Sequence, residues 1–450
     1  MNKPNILFLA DTAHQAGAVV DHINAVTAST EFSWHVLNPL AFKTIEKLDF
    51  TKFDAIGLHF SIKLHGHYYL SSLLKKKISA YQGTKFIFLQ DEYQKVNQTQ
   101  HFLYRLGFDL LFTLVSPTLF DKAYPDPRLT KLKKVHVLTG YVGEHLRSMV
   151  MPRVSERNID VSYRSRRCEY RLGKLGQDKT ILASEFVSRT CHANLKLDIS
   201  IKESDRVYGE AWFDLLKRSK VVLGTESGAS IWDVDGTVIK KIKRFLRKNK
   251  GANFDCVFHN VLKPFDGNLM YSAISPRVFE AAATKTPMVM FPGHYNGICK
   301  PGVHYIALEK DFSNLSDVLN KIKDDDYLQA MADRAYDDLI ESEQYSQKKL
   351  STLVSHELQI IIKKTQAEMY PNDALNYVNN ILGKHRLLNT VRCFFTEFSF
   401  ICLNFFRLLF VAPNEASSTR LKVLSEGAKQ YFAYINPRVS ARHRDNQKGL

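Results

Sequence analysis

Ile274-Ser275-Pro276-Arg277-Val278-Phe279-Glu280-Ala281-Ala282-Ala283, running on to Thr286-Pro287-Met288-Val289-Met290-Phe291, is where the fold declares itself. Ser275 is a good N-cap. Pro276 suits the first helical position, since the N–H it lacks would have no intrahelical partner there. The residues that follow predict a helix over 276–285, and the short apolar run 287–291 predicts a buried strand. A helix passing directly into a buried strand is one step of a wound α/β sheet.

The same alternation extends toward the N-terminus. Runs at 181–186, 196–201 and 220–223 predict strands, and 211–219 predicts a helix. Further back, 5–10, 33–37, 55–60, 85–90, 110–115 and 134–138 are short apolar runs between polar breaks. Segments such as 13–29 and 67–81 are long enough for crossover helices, so the pattern is a parallel sheet covered on both faces. A polar, arginine-rich stretch, 151–177, separates the two series. The expected architecture is α/β, with two Rossmann-like doubly wound domains facing a cleft: residues 1–150, residues 151–370, and a helical extension at 371–450.

A chain of 450 residues is too long for one ordinary core, and 45% hydrophobic against 24% charged residues is globular composition. Lysine and arginine total 62 against 46 acids, a formal charge of +16, so the expected partners are anionic: phosphorylated small molecules, acidic lipid or nucleic acid. Six cysteines without a C-x-x-C pair read as reduced thiols rather than a disulfide frame or zinc site. Only five apolar residues precede Asp11, too few for a signal peptide, and the expected location is cytoplasmic.

The helix begun at Ser275 offers free N–H groups and the positive end of its dipole, a seat for a diphosphate. Arg277 adds a cation, and Glu280, three residues on, shares its face and can accept from ribose hydroxyls; an intrahelical ion pair is the alternative. Glu226, Ser227 and Gly228 follow the 220–223 strand, where backbone can approach a ligand closely. His294, Asn296 and Gly297 belong to a two-glycine loop that either lines the same pocket or makes a surface turn. Arg164, Arg166, Arg167 and Lys179 are further candidate cations. In the first series His59, Asp91 and Glu92 stand past strand ends and could face an acceptor, one of them acting as base. Asp233-Val234-Asp235 has the form of a metal-binding D-x-D, yet no other oxygen ligands accompany it, and a turn before a helix is the better reading. No metal is expected.

Ser275-Pro276-Arg277-Val278-Phe279-Glu280-Ala281, Phe291-Pro292-Gly293-His294-Tyr295-Asn296-Gly297-Ile298, His304-Tyr305-Ile306-Ala307-Leu308 with Asp311-Phe312-Ser313-Asn314, and Gly224-Thr225-Glu226-Ser227-Gly228-Ala229-Ser230 together resemble GT-B-fold glycosyltransferases. The group is the bacterial one related to spore-maturation-type and surface-polysaccharide enzymes. The resemblance spans roughly 163–314; the N-terminal half matches in pattern only. It implies that Glu280 binds the nucleotide's ribose and that Arg164 and Lys179, at the opening of the second domain, meet the donor's phosphates. A second glutamate eight positions before the first is common in that family; Ser272 stands there, removing the expected sugar contact.

The resemblance thus implies sugar transfer from a nucleotide-diphosphate donor to a glycan or lipid-linked acceptor in surface polysaccharide synthesis, with retention, and without metal or organic cofactor. Two other classes stay open. One is a catalytically silent relative acting as an interaction protein. The other is a nucleic-acid-binding protein, suggested by the charge and the basic tail at 438–448 but lacking any recognised module. Residues 238–250 interleave Val238, Ile239, Ile242, Phe245 and Leu246 with Lys240, Lys241, Lys243, Arg244, Arg247 and Lys248, a basic amphipathic helix suited to an anionic membrane face or to packing on its own domain. Residues 390–412 hold seven phenylalanines with Arg392, Glu397 and Arg407, too charged to span a bilayer, and suit an interfacial or a packed helix.

Overall fold

The computed structural model describes residues 3–12, 14, 16–39, 43–65, 69–362 and 376–381. The segment 390–412 and the tail 438–448 lie outside the described residues.

The first unit is a six-stranded parallel sheet in the order β2-β1-β3-β4-β5-β6. Its strands are β1 (Asn5–Leu9), β2 (Ser33–Leu37), β3 (Ala55–Leu58), β4 (Thr84–Phe88), β5 (Leu110–Thr113) and β6 (Lys133–His136). Every residue of β1, β3, β4 and β5 is buried, as a sheet covered on both faces requires. The crossovers carry α1 (Gly17–Val26), α2 (Ser72–Ala80), α3 (Val96–Leu106) and the single turn α4 (Phe120–Ala123). Phe8 and Phe86 stack at 5.8 Å. Gly57 lies beneath them, where a Cβ would come within 2.2 Å of the Phe86 ring.

A short helix, α5 (Glu144–Arg147), lies in the passage to the second unit. That unit is a five-stranded parallel sheet in the order β13-β12-β9-β7-β8. It comprises β7 (Ile159–Arg164), β8 (Leu197–Ser200), β9 (Ser219–Gly224), β12 (Met288–Met290) and β13 (Ile306–Ala307), while β10 (Ser227–Ala229) and β11 (Tyr271–Ala273) form a separate antiparallel pair. Relabelled by chain order, both sheets run 2-1-3-4-5, the first with one strand more, so each reverses direction beside its first strand. The fold is α/β, with two parallel Rossmann-like sheets.

The helices of the second unit are α6 (Gly173–Arg189), α7 (Glu210–Arg218), α8 (Thr237–Lys248), α9 (Phe254–Val257), α10 (Pro276–Ala283), α11 (Leu315–Ile322) and α12 (Asp325–Tyr336). The strand expected at 181–186 is instead part of α6. Leu175, Leu182, Ala183 and Phe186 are buried at helical spacing, while Ile181 and Val187 are exposed, a pattern no two-residue period produces. Within α10, Ser275 Oγ accepts from the Arg277 N–H and Pro276 opens the helix.

Residues between β10 and β11 form a helical insert with its own small core of Ile231, Val238, Ile242, Val257, Phe258 and Leu262. Of the apolar residues of 238–250, Val238 and Ile242 are buried there and Phe245 and Leu246 pack against them, the packing on its own domain that is the alternative to a membrane face; the basic side chains are exposed. Asp233 accepts from the N–H groups of Val238 and Ile239, both at 3.1 Å, and Asp235 accepts from Thr237 at 2.9 Å. The D-x-D sequence therefore caps α8.

The last long helix among the described residues, α13 (Gln347–Ile361), returns to the first unit. Leu350, Val354 and Leu358 lie in that unit's core, and Lys133 pairs with Glu357 at 2.5 Å. Residues 376–381 dock there too: Val378 is buried in the same core and the Asp49 N–H donates to Tyr377 Oη at 2.9 Å. The two crossings between units run side by side, with Val142 N donating to Tyr345 O at 2.8 Å and Gln347 N to Val142 O at 2.9 Å.

Candidate functional site

A cavity of about 360 Å³ opens between the units. It lies at the carboxyl ends of β7 and β9, the point where the second sheet reverses its strand order and where parallel α/β sheets leave a crevice. Ser165 follows one strand and Gly224 and Thr225 end the other. The first two turns of α6 supply Leu175, Gly176 and Lys179, α10 supplies Ser275, Arg277 and Val278, and α7 supplies Trp212. From the first unit come Asp91 and Tyr93.

The wall is cationic. Arg166, Lys179, Arg206 and Arg277 line it, against one carboxylate, Asp91. Lys179 Nζ donates to Ser227 Oγ at 3.0 Å. Burial lowers the Lys179 pKa, the Cys168 thiol beside it acting the other way, and the Arg277 and Arg166 guanidinium groups add to the lowering. A phosphate brought here would relieve that repulsion. The Arg277 guanidinium lies 4.8 Å from the Trp212 ring centroid and donates to the carbonyl of Arg164. It thus lies over an aromatic face close to the N-terminus of α10.

Asp91 sits at the end of the β4 connection with φ 57°, in the left-handed region. Tyr93 Oη donates to its Oδ1 at 2.9 Å, and Asp91 is exposed on the cavity wall.

Other expected residues have different duties. Glu280 does not line the cavity: its Oε2 accepts from the Trp212 indole at 2.7 Å. Burial raises its pKa; the indole bond and the Arg277 charge oppose this, and Asp21 of α1 reinforces it. It therefore stands close to the interface of the units, with one carboxylate oxygen engaged by the indole. Glu226 Oε1 accepts from the Tyr295 N–H at 2.8 Å and holds the 293–297 loop. Asn296 Oδ1 accepts from Ile274 N at 2.6 Å and its Nδ2 meets His136 Nε2 at 3.3 Å, so it ties that loop to the first unit. His294 and Gly297 are exposed in the same loop and line no cavity wall. Gly228, like Ser227, does line the cavity; it has φ 134°, a Cβ there would lie 1.9 Å from the Tyr271 carbonyl, and it permits the β10–β11 pairing, in which it faces Ser272. The Arg164 guanidinium turns away to Asp198 at 2.6 Å, and Arg166, two residues on, faces the cavity.

Two of the three expected acceptor-side residues are sealed inside the first unit. His59 has no exposed surface: its Nε2 meets His22 Nδ1 at 3.0 Å and its Nδ1 meets Ser61 Oγ at 2.9 Å. Burial first, then His22, drives its pKa well down, so it stays neutral. Glu92 is buried against the hydroxyls of Thr113 and Tyr124, at 2.8 and 2.9 Å, and burial pushes its pKa up to about 8. Neither reaches the cleft, which removes both as a base for an external substrate. Trp212, Tyr93 and Arg206 line the cavity without having been singled out in the sequence. A tryptophan in a helix between two strands carries no local signal that separates a pocket wall from a core position.

No family model and no curated protein matches the chain in sequence. Among solved structures, an alpha-glucosyltransferase bound to UDP-glucose and DNA containing an abasic site superposes with a TM-score of 0.48 at 11% identity, over 80% of this chain and 99% of that one. HepE of Anabaena bound to UDP superposes at 0.45 and 12% identity, over 79% of this chain and 100% of that one. At such identity and superposition neither likeness bears on the chemistry of this chain.

Proposed function

We propose that the chain transfers a sugar from a nucleotide-diphosphate donor to a glycan or lipid-linked acceptor. The observation that carries this reading is the convergence of Arg166, Lys179, Arg206 and Arg277 on one cavity at the switch point of the second sheet. A diphosphate there would meet four cations and the tip of α10, the charge that a departing nucleoside diphosphate develops. Flat surfaces suited to a base are offered by Tyr163 and Trp212. The second unit thus holds the donor and the first presents the acceptor.

In the reaction, the bond from the anomeric carbon to the phosphate oxygen breaks with its electrons passing to the phosphate, and a bond to the acceptor oxygen forms. The acceptor's proton needs a receiver, and Asp91, with one oxygen held by Tyr93, is the carboxylate on the cavity wall. Retention at the anomeric carbon belongs to this reading. Glu280 acts through Trp212, holding the indole on which Arg277 lies.

Isothermal titration with a panel of nucleoside diphosphates tests the site. Wild type should bind one base preferentially, and Lys179→Met or Arg277→Ala should each weaken it roughly 10- to 100-fold, the loss of a charge-assisted contact. Equal affinity in all three proteins counts against the cavity. Transfer to a saccharide acceptor, followed by NMR of the product's anomeric configuration, tests the reaction: Asp91→Asn should lower turnover while leaving nucleotide affinity in place. Binding without transfer or donor hydrolysis would instead support a silent interaction protein.

A further inference from the structure

A second cavity, about 660 Å³, lies in the first unit between α2 and α3, independent of the site between the units. Its walls carry Lys75 and Lys76 from α2, Arg105 from α3, and His65 from the loop after β3, with the hydroxyls of Ser72 and Ser79. No carboxylate lines it. Among the described residues none of Lys75, Lys76 or Arg105 takes part in an ion pair, whereas Arg128, Arg147, Arg189 and Lys321 elsewhere on the surface all do.

Lys75 is held against an aromatic ring, and the two helices are fastened to each other. Lys75 Nζ sits 4.5 Å above the Phe102 ring, and Ser79 Oγ donates to the Arg105 carbonyl at 2.9 Å, fastening α2 to α3 along the groove. Burial lowers the Lys75 pKa and the Arg105 charge lowers it further, as expected of like charges kept together without a counterion. His65 Nε2 bonds Thr99 Oγ1 at 3.1 Å, while its Nδ1 is buried without a partner. Cations with no carboxylate beside them and an unused imidazole nitrogen in one concavity favour an anionic occupant.

The geometry points to a second ligand site in this groove, for a phosphate-bearing anion, with Lys75, Lys76 and Arg105 supplying the charge and Ser72 a hydroxyl donor. The phosphate belongs either to a soluble phosphorylated compound or to a lipid headgroup; the recognition chemistry is the same.

Inorganic pyrophosphate titrated calorimetrically into the full chain tests this, with three variants alongside: Lys75→Ser/Arg105→Ser, Arg277→Ala, and Lys122→Ser/Lys131→Ser as a surface-charge control. The site predicts a saturable component that weakens at least about tenfold in Lys75→Ser/Arg105→Ser. It persists in Arg277→Ala, which reports on the other cavity, and in the control. Flotation with phosphatidylcholine vesicles, with and without phosphatidic acid, separates the sources, and binding to either probe that depends on Lys75 and Arg105 supports the site. Absence of saturable binding to both probes, or binding equal in wild type and the folded Lys75→Ser/Arg105→Ser protein, overturns it.

Discussion

Arg157 shows how a buried charge is afforded at the scale of one residue. Its guanidinium donates to the carbonyls of Pro152, Leu216, Ser219, Thr284 and Lys285 and to Thr286 Oγ1, at 2.9 to 3.4 Å. Two of those carbonyls end α10, so the arginine closes the same helix whose other end faces the cavity. Arg157→Ala strands these oxygens without water and should cost roughly 3 kcal/mol or more in chemical denaturation. Glu92 gives a pH prediction. Its ordinary value of 4.5 is raised to about 8 in the fold, so above 4.5 the unfolded chain has released a proton that the folded one keeps. That contribution is present below 4.5 and is lost as pH rises toward about 8, and Glu92→Gln should flatten the decline of unfolding free energy across that window. None of this was legible in the sequence. His59 and Glu92 have the polar, strand-end position of acceptor residues, and only packing reveals them as sealed, whereas Asp91, adjacent to Glu92, does reach the cleft.

Elements were read well where local chemistry is strong. Ser275 and Pro276 mark the start of α10 unambiguously, and the buried runs of β1, β3 and β4 admit little else. The failure at 181–186 has a physical cause: Ile181-Leu182-Ala183 and Phe186 form a short apolar cluster in either period, and only the distant Leu175 and the exposure of Ile181 disclose the helix. Asp233, read from the sequence as part of a turn before a helix, caps α8. Asp233→Ala should lower the stability of the insert by about 1 kcal/mol, followed by hydrogen exchange, and leave nucleotide affinity unchanged. Had the aspartate served a metal at the donor site, affinity would fall with it.

Over the whole molecule, the α/β architecture in two wound units was legible, because each strand announces itself and parallel sheets accept few orders. The return of α13 to the first unit was not, since an amphipathic helix does not state whose core it covers. Leu350→Ala, in α13, should destabilise the first unit by roughly 2–5 kcal/mol, seen as earlier loss of protection in β1 and β3 under hydrogen exchange while the second sheet keeps its own.

The paired crossings at Val142 and Tyr345–Gln347 have a mechanical consequence. Two segments laced together by these bonds move as one, so any rotation of one unit against the other would have to carry both of them jointly. Fluorophores placed on α2 and α11 should therefore report a single distance change on nucleotide addition, and severing the lace with Val142→Pro should broaden it into several.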